Sequence, residues 1–454
     1  MHKICHFFTF RSFLPYFTMM KKYKFCIVFS PFLFPFSHGT IGRTQYLFLY
    51  NVFFMINHTQ NEHHLFQKGE LHMLELYPNY YPKFTCTADQ CPITCCQEWK
   101  ISVDDDTYRN WFTIQPPTDV APQKATLSAY TTYQAETRVI RLNEQKKCPF
   151  LKENGLCWLV LAYGDAILSE TCTTFPREFH TFSNHVEKTL MPSCPAVIDL
   201  WKEETKLSFP SVDASLCSDT DNLLFSVRSH LISLMQNNPA SPEHILLECF
   251  YILLELQQQT LSSDLLADYF SESVIQQLSD AIEQMDFPLE DTLSECNELL
   301  QDLAVNYQKE GLYSRFLTPL LALADQISAG TVTYDLTEEW DTFEQQFFQY
   351  QALIRNFLTN AFFSDLLSPD GDLESIIVQM QWIGMEYAVV RHSIFLKWLS
   401  DGKGELRYDV VRDSLVVLTR MTGYEKDDIY EYLENSFDSL YWDWGYFAMI
   451  VSDF

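Results

Sequence analysis

Eight of the thirteen cysteines in this 454-residue chain fall between Cys86 and Cys194, and four of them, Cys86, Cys91, Cys95 and Cys96, form one tight group. A segment that concentrates sulfur in this way folds around a metal or iron–sulfur site, or around disulfides, or uses its cysteines as small apolar residues in a core. Disulfide density belongs mostly to small secreted domains that cannot build an adequate core. Here 47 % of the residues are apolar and a long helical half comes after the cysteines, so the metal or cluster reading comes first, disulfides second and packing third.

Written out, the first group is Phe84-Thr-Cys86-Thr-Ala-Asp-Gln-Cys91-Pro-Ile-Thr-Cys95-Cys96-Gln-Glu-Trp99. Cys148-Pro-Phe-Leu151 and Gly155-Leu-Cys157 come next, then Thr171-Cys172-Thr-Thr-Phe-Pro-Arg177 and Ser193-Cys194-Pro195. Adjacent Cys95 and Cys96 do not close a disulfide on each other without strain, whereas a turn lets one ligate a metal while the other packs or serves a second ion. Proline beside Cys91, Cys148 and Cys194 stiffens the loops that present sulfur. Zinc modules built on Cys-x-x-Cys knuckles find no counterpart here, and His180 and His185 are the only histidines between Cys86 and Cys194. A thiolate-only set suits iron–sulfur at least as well as zinc. Cys91 and Cys95 begin the Cys-x-x-x-Cys-x-x-Cys pattern of radical S-adenosylmethionine sites, but Glu98 stands where the third cysteine belongs. Gly402 and Gly404 read as a turn rather than a phosphate loop.

Charge excludes other classes. The formal net charge is −29, and residues 1–72 are themselves basic, with seven Lys/Arg against two Asp/Glu, leaving 24 minus 58, or −34, for the rest. Such an acidic body repels nucleic acid and anionic membranes, so a protein or small-molecule partner is expected. Residues 1–72 differ in kind from the rest of the chain. Lys21, Lys22 and Lys24 ahead of the apolar run from Phe25 to Phe36 resemble a secretory signal starting near Met19 or Met20, interrupted by Pro31 and Pro35. Neither that run nor Tyr46 to Ile56 reaches the roughly 20 apolar residues of a membrane span. The other alternative is translation from Met73.

The expected fold class is mainly α: a Cys-rich, loop-dominated metal or cluster domain over residues 73–208, then an irregular all-helical domain over 215–454. Residues 1–72 form an atypical extension, and Phe209 to Asp221 reads as a linker. Ser241-Pro242-Glu243 carries the residue types of a helix start. Apolar spacing predicts further helices over 262–286, 289–310, 313–328, 337–362, 373–399, 405–421 and 425–440, with one stripe through Ile376, Ile377, Met380, Ile383, Gly384, Tyr387, Ala388, Arg391 and Ile394. Cys217, Cys249 and Cys296 are isolated and are expected to pack as apolar residues.

The ordered motifs Tyr77-Pro78 to Phe84-x-Cys86, Cys91-x-x-x-Cys95-Cys96-x-x-Trp99, Val103-Asp104 to Thr107-Tyr108, Cys148-Pro-Phe-Leu, Gly155-Leu-Cys157, Leu168-Ser-x-Thr-Cys172-x-x-Phe-Pro-Arg177 and Cys194-Pro-Ala196 resemble the flagellin lysine-N-methylase family. Their core also resembles a broader zinc- or iron-chelating cysteine domain. The resemblance is strong over residues 73–205 and thin beyond, and it implies that the chain proper begins near Met73.

What it implies is a cytoplasmic protein-lysine N-methyltransferase that moves a methyl group from S-adenosylmethionine to surface lysines of flagellin. The implied cofactor is an iron–sulfur cluster of the 4Fe-4S kind, with Cys86, Cys91, Cys95, Cys96, Cys148, Cys157, Cys172 and Cys194 as candidate ligands. Arg177 is the candidate partner for the methionine carboxylate of the methyl donor, with a structural ion pair as its other role. Glu98 and Glu170, each near a cysteine, are weighed as a base for the lysine proton against being solvated surface acids. Trp99 and Phe175 are expected in the core or shielding a cluster, and His180 as a ligand or a surface histidine. The competing function is a metal-binding or redox cysteine module without methyl transfer.

Overall fold

A computed structural model describes residues 73–134, 137–211, 219–333, 335–423, 426–437, 439 and 441–452. The N-terminal extension with its signal-like run, Cys217 and residues 212–218 of the expected linker lie outside the described residues.

Proline, glycine and cysteine punctuate the first part closely, and its elements are accordingly short. They are strands β1 (Leu74–Leu76), β2 (Thr131–Gln134), β3 (Thr137–Ile140), β4 (Arg177–Thr181) and β5 (His185–Leu190), with helices α1 (Asp105–Trp111), α2 (Trp158–Tyr163), α3 (Glu170–Thr174) and α4 (Pro195–Glu203). One sheet has the order β1-β5-β4, with β1 parallel and β4 antiparallel to β5; β2 and β3 form a separate antiparallel pair. Asp104 starts α1 by accepting from the Thr107 amide at 2.8 Å, and its other oxygen takes the Glu170 amide at 3.0 Å, which ties α1 to α3.

From residue 219 the chain is helical: α5 (Asp219–Asn237), α6 (Pro242–Gln257), α7 (Ser263–Tyr269), α8 (Glu272–Ile282), α9 (Leu289–Glu310), α10 (Ser314–Ser328), α11 (Leu336–Phe347), α12 (Gln351–Ser364), α13 (Leu373–Ser400), α14 (Tyr408–Thr422), α15 (Lys426–Phe437) and α16 (Trp444–Val451). The chain is mainly α, as expected. Ser241 caps α6 by accepting from the His244 amide at 3.1 Å. The helix over 289–310 appears with those ends, while 262–286 divides at Ser271 into α7 and α8 and 337–362 breaks at a 3-10 turn, Phe348–Tyr350. Helices α5 and α16 lie outside the expected set; α16 is apolar almost throughout, so it offers no period to read.

The stripe expected on one side of α13 understates that helix. Nearly every residue from Ser375 to Leu396 is buried, including Gln381, Arg391, His392 and Ser393, because α6, α9, α10, α14 and α16 pack around it. Gly384 is required by one of those crossings, since a methyl group there would overlap the Phe447 ring. Two apolar clusters result. The large one fills the helical array and draws in Tyr80, Leu190, Val197, Ile198 and Trp201. The small one gathers Ile101, Val103, Trp111, Leu127, Tyr130, Phe150, Leu159 and Ile167. Cys148 belongs to the small cluster, with Cys96, Cys157 and Cys172 against it, whereas Cys194 belongs to the large one. The cysteine loops thus run where the two meet. No described helix is long and apolar enough to cross a membrane.

Candidate metal centre

Each cysteine is placed by short-range backbone chemistry. The Cys96 amide donates to Thr94 Oγ1 at 3.2 Å, shaping the turn that carries Cys95 and Cys96. Behind it the chain pairs with a second turn: the Cys148 amide donates to Cys96 O at 2.8 Å, the Glu98 amide to Lys146 O at 2.7 Å, and Gln97 bridges Lys147. Glu98 and Lys146 both have positive φ, +56° and +60°, so each strand of this small pairing bends sharply beside a cysteine.

The Cys148 loop then closes on itself, with Leu151 bridging Cys157. Its turn residue Gly155 has φ +82°, and a Cβ there would stand 3.0 Å from Asp89 Cα. Only glycine combines that backbone conformation with so close an approach. The Cys157 turn is thereby laid against the loop leading to Cys91. Cys172 lies in α3, its amide donating to Ser169 Oγ at 3.4 Å, and Cys194 precedes Pro195 at the start of α4.

These loops converge on Cys95. Its sulfur lies within electrostatic reach of Cys91, Cys96, Cys148, Cys157, Cys172 and Cys194. Seven of the eight candidate cysteines therefore share one neighbourhood; Cys86 is exposed. All described cysteines are free thiols. Among the described residues no three or more His, Cys, Asp or Glu stand close enough to hold a metal ion, so the sulfurs are neighbours rather than a closed coordination shell.

Their electrostatics are those of buried thiols. The Cys96 sulfhydryl and then burial push Cys95 well up; burial, with the neighbouring cysteines adding to it, pushes Cys148 well up and lifts Cys172 and Cys194 to about 12. Backbone amides act the other way, those of Leu159 and Val160 favouring the Cys157 thiolate and those of Ala196 and Val197 the Cys194 thiolate. Metal binding deprotonates coordinating thiols outright.

The remaining expected residues spread out. Trp99 and Phe175 meet edge to face, ring centroids 4.5 Å apart, bridging two cysteine loops. Arg177 lies over the Phe84 ring at 5.3 Å and against Tyr81. Glu170 sits in the first turn of α3. His180 faces Glu178 (3.6 Å), Glu187 and Asp365 rather than the cysteines.

That last contact opens a second constellation, which the sequence did not announce. Alternate residues of a strand share a face, so Glu178 and His180 on β4 stand with His185, Glu187 and Thr189 on β5. Opposite lies the polar stripe Asn356, Asn360 and Ser364 of α12. Tyr80 O–H meets Thr189 Oγ1 at 2.9 Å and also reaches Asn360 Oδ1, while Thr189 donates to Asn360 Oδ1 at 2.9 Å. Arg228 of α5 forks onto Glu187 at 2.7 and 2.5 Å and donates to Phe363 O at 2.9 Å.

Two further carboxyls complete this seam. Asp365, just past α12, keeps an edge in solvent; withdrawal of the carboxyl from bulk water and the charge of Glu178 hold it well above the usual carboxylate range. Glu386 of α13, the acceptor for Thr422 Oγ1, is raised by burial to about 7. Acids of matched strength in one place are what proton transfer near neutrality requires. The signal available in sequence is the i, i+4, i+8 polar stripe on α12, legible only once its partner sheet is known.

Residues 228–450 match the family model of the FliB lysine N-methylase C-terminal domain. Over 121 residues the chain is 30 % identical to the flagellar biosynthetic protein FliU of Salmonella muenchen, covering 26 % of this chain and 72 % of that protein. It is likewise 30 % identical over 121 residues to a lysine-N-methylase of Salmonella typhimurium (strain LT2) and 29 % identical over 123 residues to one of Salmonella choleraesuis (strain SC-B67). In those two cases the alignment covers 26 % of this chain and 30 % of the relative. No solved structure matches the chain. The family model lies on α5 to α16, where the motif resemblance is thin, and does not extend over the cysteine motifs.

Proposed function

The chain belongs to the flagellin lysine N-methylase family, and from that premise we propose that it is a protein-lysine N-methyltransferase whose methyl donor is S-adenosylmethionine and whose substrate is flagellin. The observation that carries the reading is the match of residues 228–450 to a lysine N-methylase domain, a region that contains Arg228, Asp365, Glu386 and Arg420. The flagellar name of one relative supports the choice of substrate.

The chemistry is a displacement: the lone pair of lysine Nζ forms the new C–N bond as the C–S bond of the sulfonium breaks, and a proton leaves the nitrogen. Lysine arrives protonated, with an ordinary value of about 10.4, so the site needs groups that attract an ammonium and accept its proton. Glu178 lies in this seam beside Asp365 and Glu386, whose carboxyls, raised toward neutrality, take up a proton from their ionised forms. The acidic body of the chain, with 24 Lys/Arg against 58 Asp/Glu beyond residue 72, draws in a lysine-bearing partner at long range.

The donor types suit an iron–sulfur cluster, being cysteine sulfurs from four loops around Cys95 with no histidine among them, and binding would have to draw together sulfurs that are neighbours rather than a closed shell among the described residues. Cys91, Cys95, Cys96, Cys148, Cys157, Cys172 and Cys194 would hold it. When bound, such a cluster supplies a one-electron redox couple and cross-links loops that no disulfide joins among the described residues. Free cysteines also suit a reducing compartment such as the cytoplasm.

The test is anaerobic purification of the full chain, iron and acid-labile sulfide analysis, then incubation with methyl-labelled S-adenosylmethionine and flagellin under reducing conditions. Label on flagellin lysines is expected. Iron without label would leave a metal-binding module and refute the methyltransferase; label without iron or sulfide would refute the cluster alone.

A further inference from the structure

Arg420 lies near the end of α14, inside the helical array's sequence, yet its hydrogen bonds are to the cysteine loops. Its Nε donates to Ser193 O at 2.9 Å, Nη2 to Ile93 O at 3.0 Å and Nη1 to Thr94 O at 3.4 Å. Ile93 and Thr94 form the step between Cys91 and Cys95, and Ser193 directly precedes Cys194. The guanidinium also lies over the Trp99 ring at 5.4 Å, and Trp99 packs on Phe175, three residues past Cys172. One side chain therefore touches the segments that follow Cys91 and Cys96 and precede Cys194, and through Trp99 it reaches the Cys172 loop. Tyr313 meets the same guanidinium, and Tyr307 O–H donates to Arg420 O at 3.2 Å, so the arginine is itself held in place.

Resting on the cluster reading, we propose that Arg420 is the positioning residue of the cysteine centre: a fixed fork from the helical domain that sets the spacing of the sulfur loops and supplies the positive charge their thiolates need when they bind metal. The planar guanidinium suits this work, since one rigid group satisfies three carbonyls in diverging directions, which a lysine ammonium on a flexible stem does not reproduce. Its charge already favours the thiolate forms of Cys91 and Cys95. A centre bound by several thiolates carries net negative charge, and a nearby fixed cation lowers the cost of assembling it. Beside this contact the Ser193 hydroxyl is buried with no hydrogen-bond partner among the described residues, a donor placed next to Cys194.

The experiment uses the full chain loaded anaerobically with ferrous iron and sulfide, comparing wild type with Arg420→Met, Arg420→Lys and the control Arg412→Met. Arg412 stands on the same helix but faces Asp199 and Asp413. Far-UV circular dichroism and thermal melting establish that each variant is folded before iron per chain and the rate of iron loss to a chelator are measured. Arg420→Met is expected to keep its helical signal and lose iron at least tenfold faster, Arg420→Lys to fall between it and wild type, and Arg412→Met to match wild type. Wild-type iron retention in a folded Arg420→Met or Arg420→Lys protein would overturn the proposal while leaving the cluster standing. A wild-type chain that takes up no iron would overturn both.

Discussion

Arg228→Met probes the acidic seam at its best-defined point. Arg228 and Glu187 are 3 % and 2 % exposed, and the guanidinium fork closes on both carboxylate oxygens. Burial alone would raise the Glu187 carboxyl, but Arg228 and His185 outweigh it and bring it from 4.5 to about 2. A shift of that size corresponds to about 3 kcal/mol in favour of the folded carboxylate. Removing one member of a buried pair strands the other charge, and the usual cost is about 3–5 kcal/mol. The two figures agree in order of magnitude.

Since the folded value lies below the unfolded one, the stabilisation is complete above pH 4.5 and disappears as pH falls through about 2. The gap between wild type and Arg228→Met is therefore expected to be widest at neutral pH and to narrow in acid. Urea unfolding followed by circular dichroism at pH 7 and pH 4 measures it. Adding Glu187→Leu to Arg228→Met should recover most of the loss, because the stranded charge is then gone. A single-variant cost under ~1 kcal/mol at pH 7, or a double variant no more stable than the single, would refute the account.

The other expectations concern the cysteine turn, the second carboxyl and the cysteines themselves. Gly155→Ala forces a side chain into φ +82° and within 3.0 Å of Asp89 Cα; a loss of about 1–3 kcal/mol, read as a lower melting temperature, is expected together with faster iron loss. Glu386 is neutralised by folding, its value raised from 4.5 to about 7, so stability should fall as pH rises across that window, and Glu386→Gln should flatten the fall in melting temperature between pH 5 and 7.5. Cys86→Ala should keep wild-type iron content, because Cys86 is exposed, whereas Cys172→Ala, at a sulfur within electrostatic reach of Cys95, should lower it; equal iron in the two variants would count against the grouping.

How much of this is legible in the sequence depends on what each feature rests on. The long helices show themselves because apolar spacing at 3.6 residues is a local property, and Ser241-Pro242 marks its start by local chemistry as well. The break at Phe348–Tyr350 is hidden, since aromatic residues continue across it, while at Ser271 the apolar spacing on either side masks the helix-start signal of Ser271-Glu272. Spacing alone singles out the cysteines but treats Cys86 like its neighbours; only the fold shows that its loop leaves it exposed. Arg420 and Asp365 carry no motif at all. Each acquires its role from partners far away in sequence, Ile93 and Ser193 for the one and Glu178 for the other.

The same long-range dependence ties the cysteine loops to the helices on which the family model falls. The hairpin β4–β5 is flanked by cysteine loops, Cys172 just before it and Cys194 just after, while one of its faces forms the acidic seam against α12. Shifting the seam therefore shifts both loops. Arg228 pins the hairpin from α5, and Arg420 pins the neighbouring loops from α14. The last turn of α14 also delivers Thr422 to Glu386, so a single helix end orients a seam carboxyl and a sulfur loop together. Loops as short and irregular as these have little stability of their own. Their geometry is set by the helical scaffold, and a change at Arg420 reaches the sulfur atoms through the backbone of Ile93, Thr94 and Ser193.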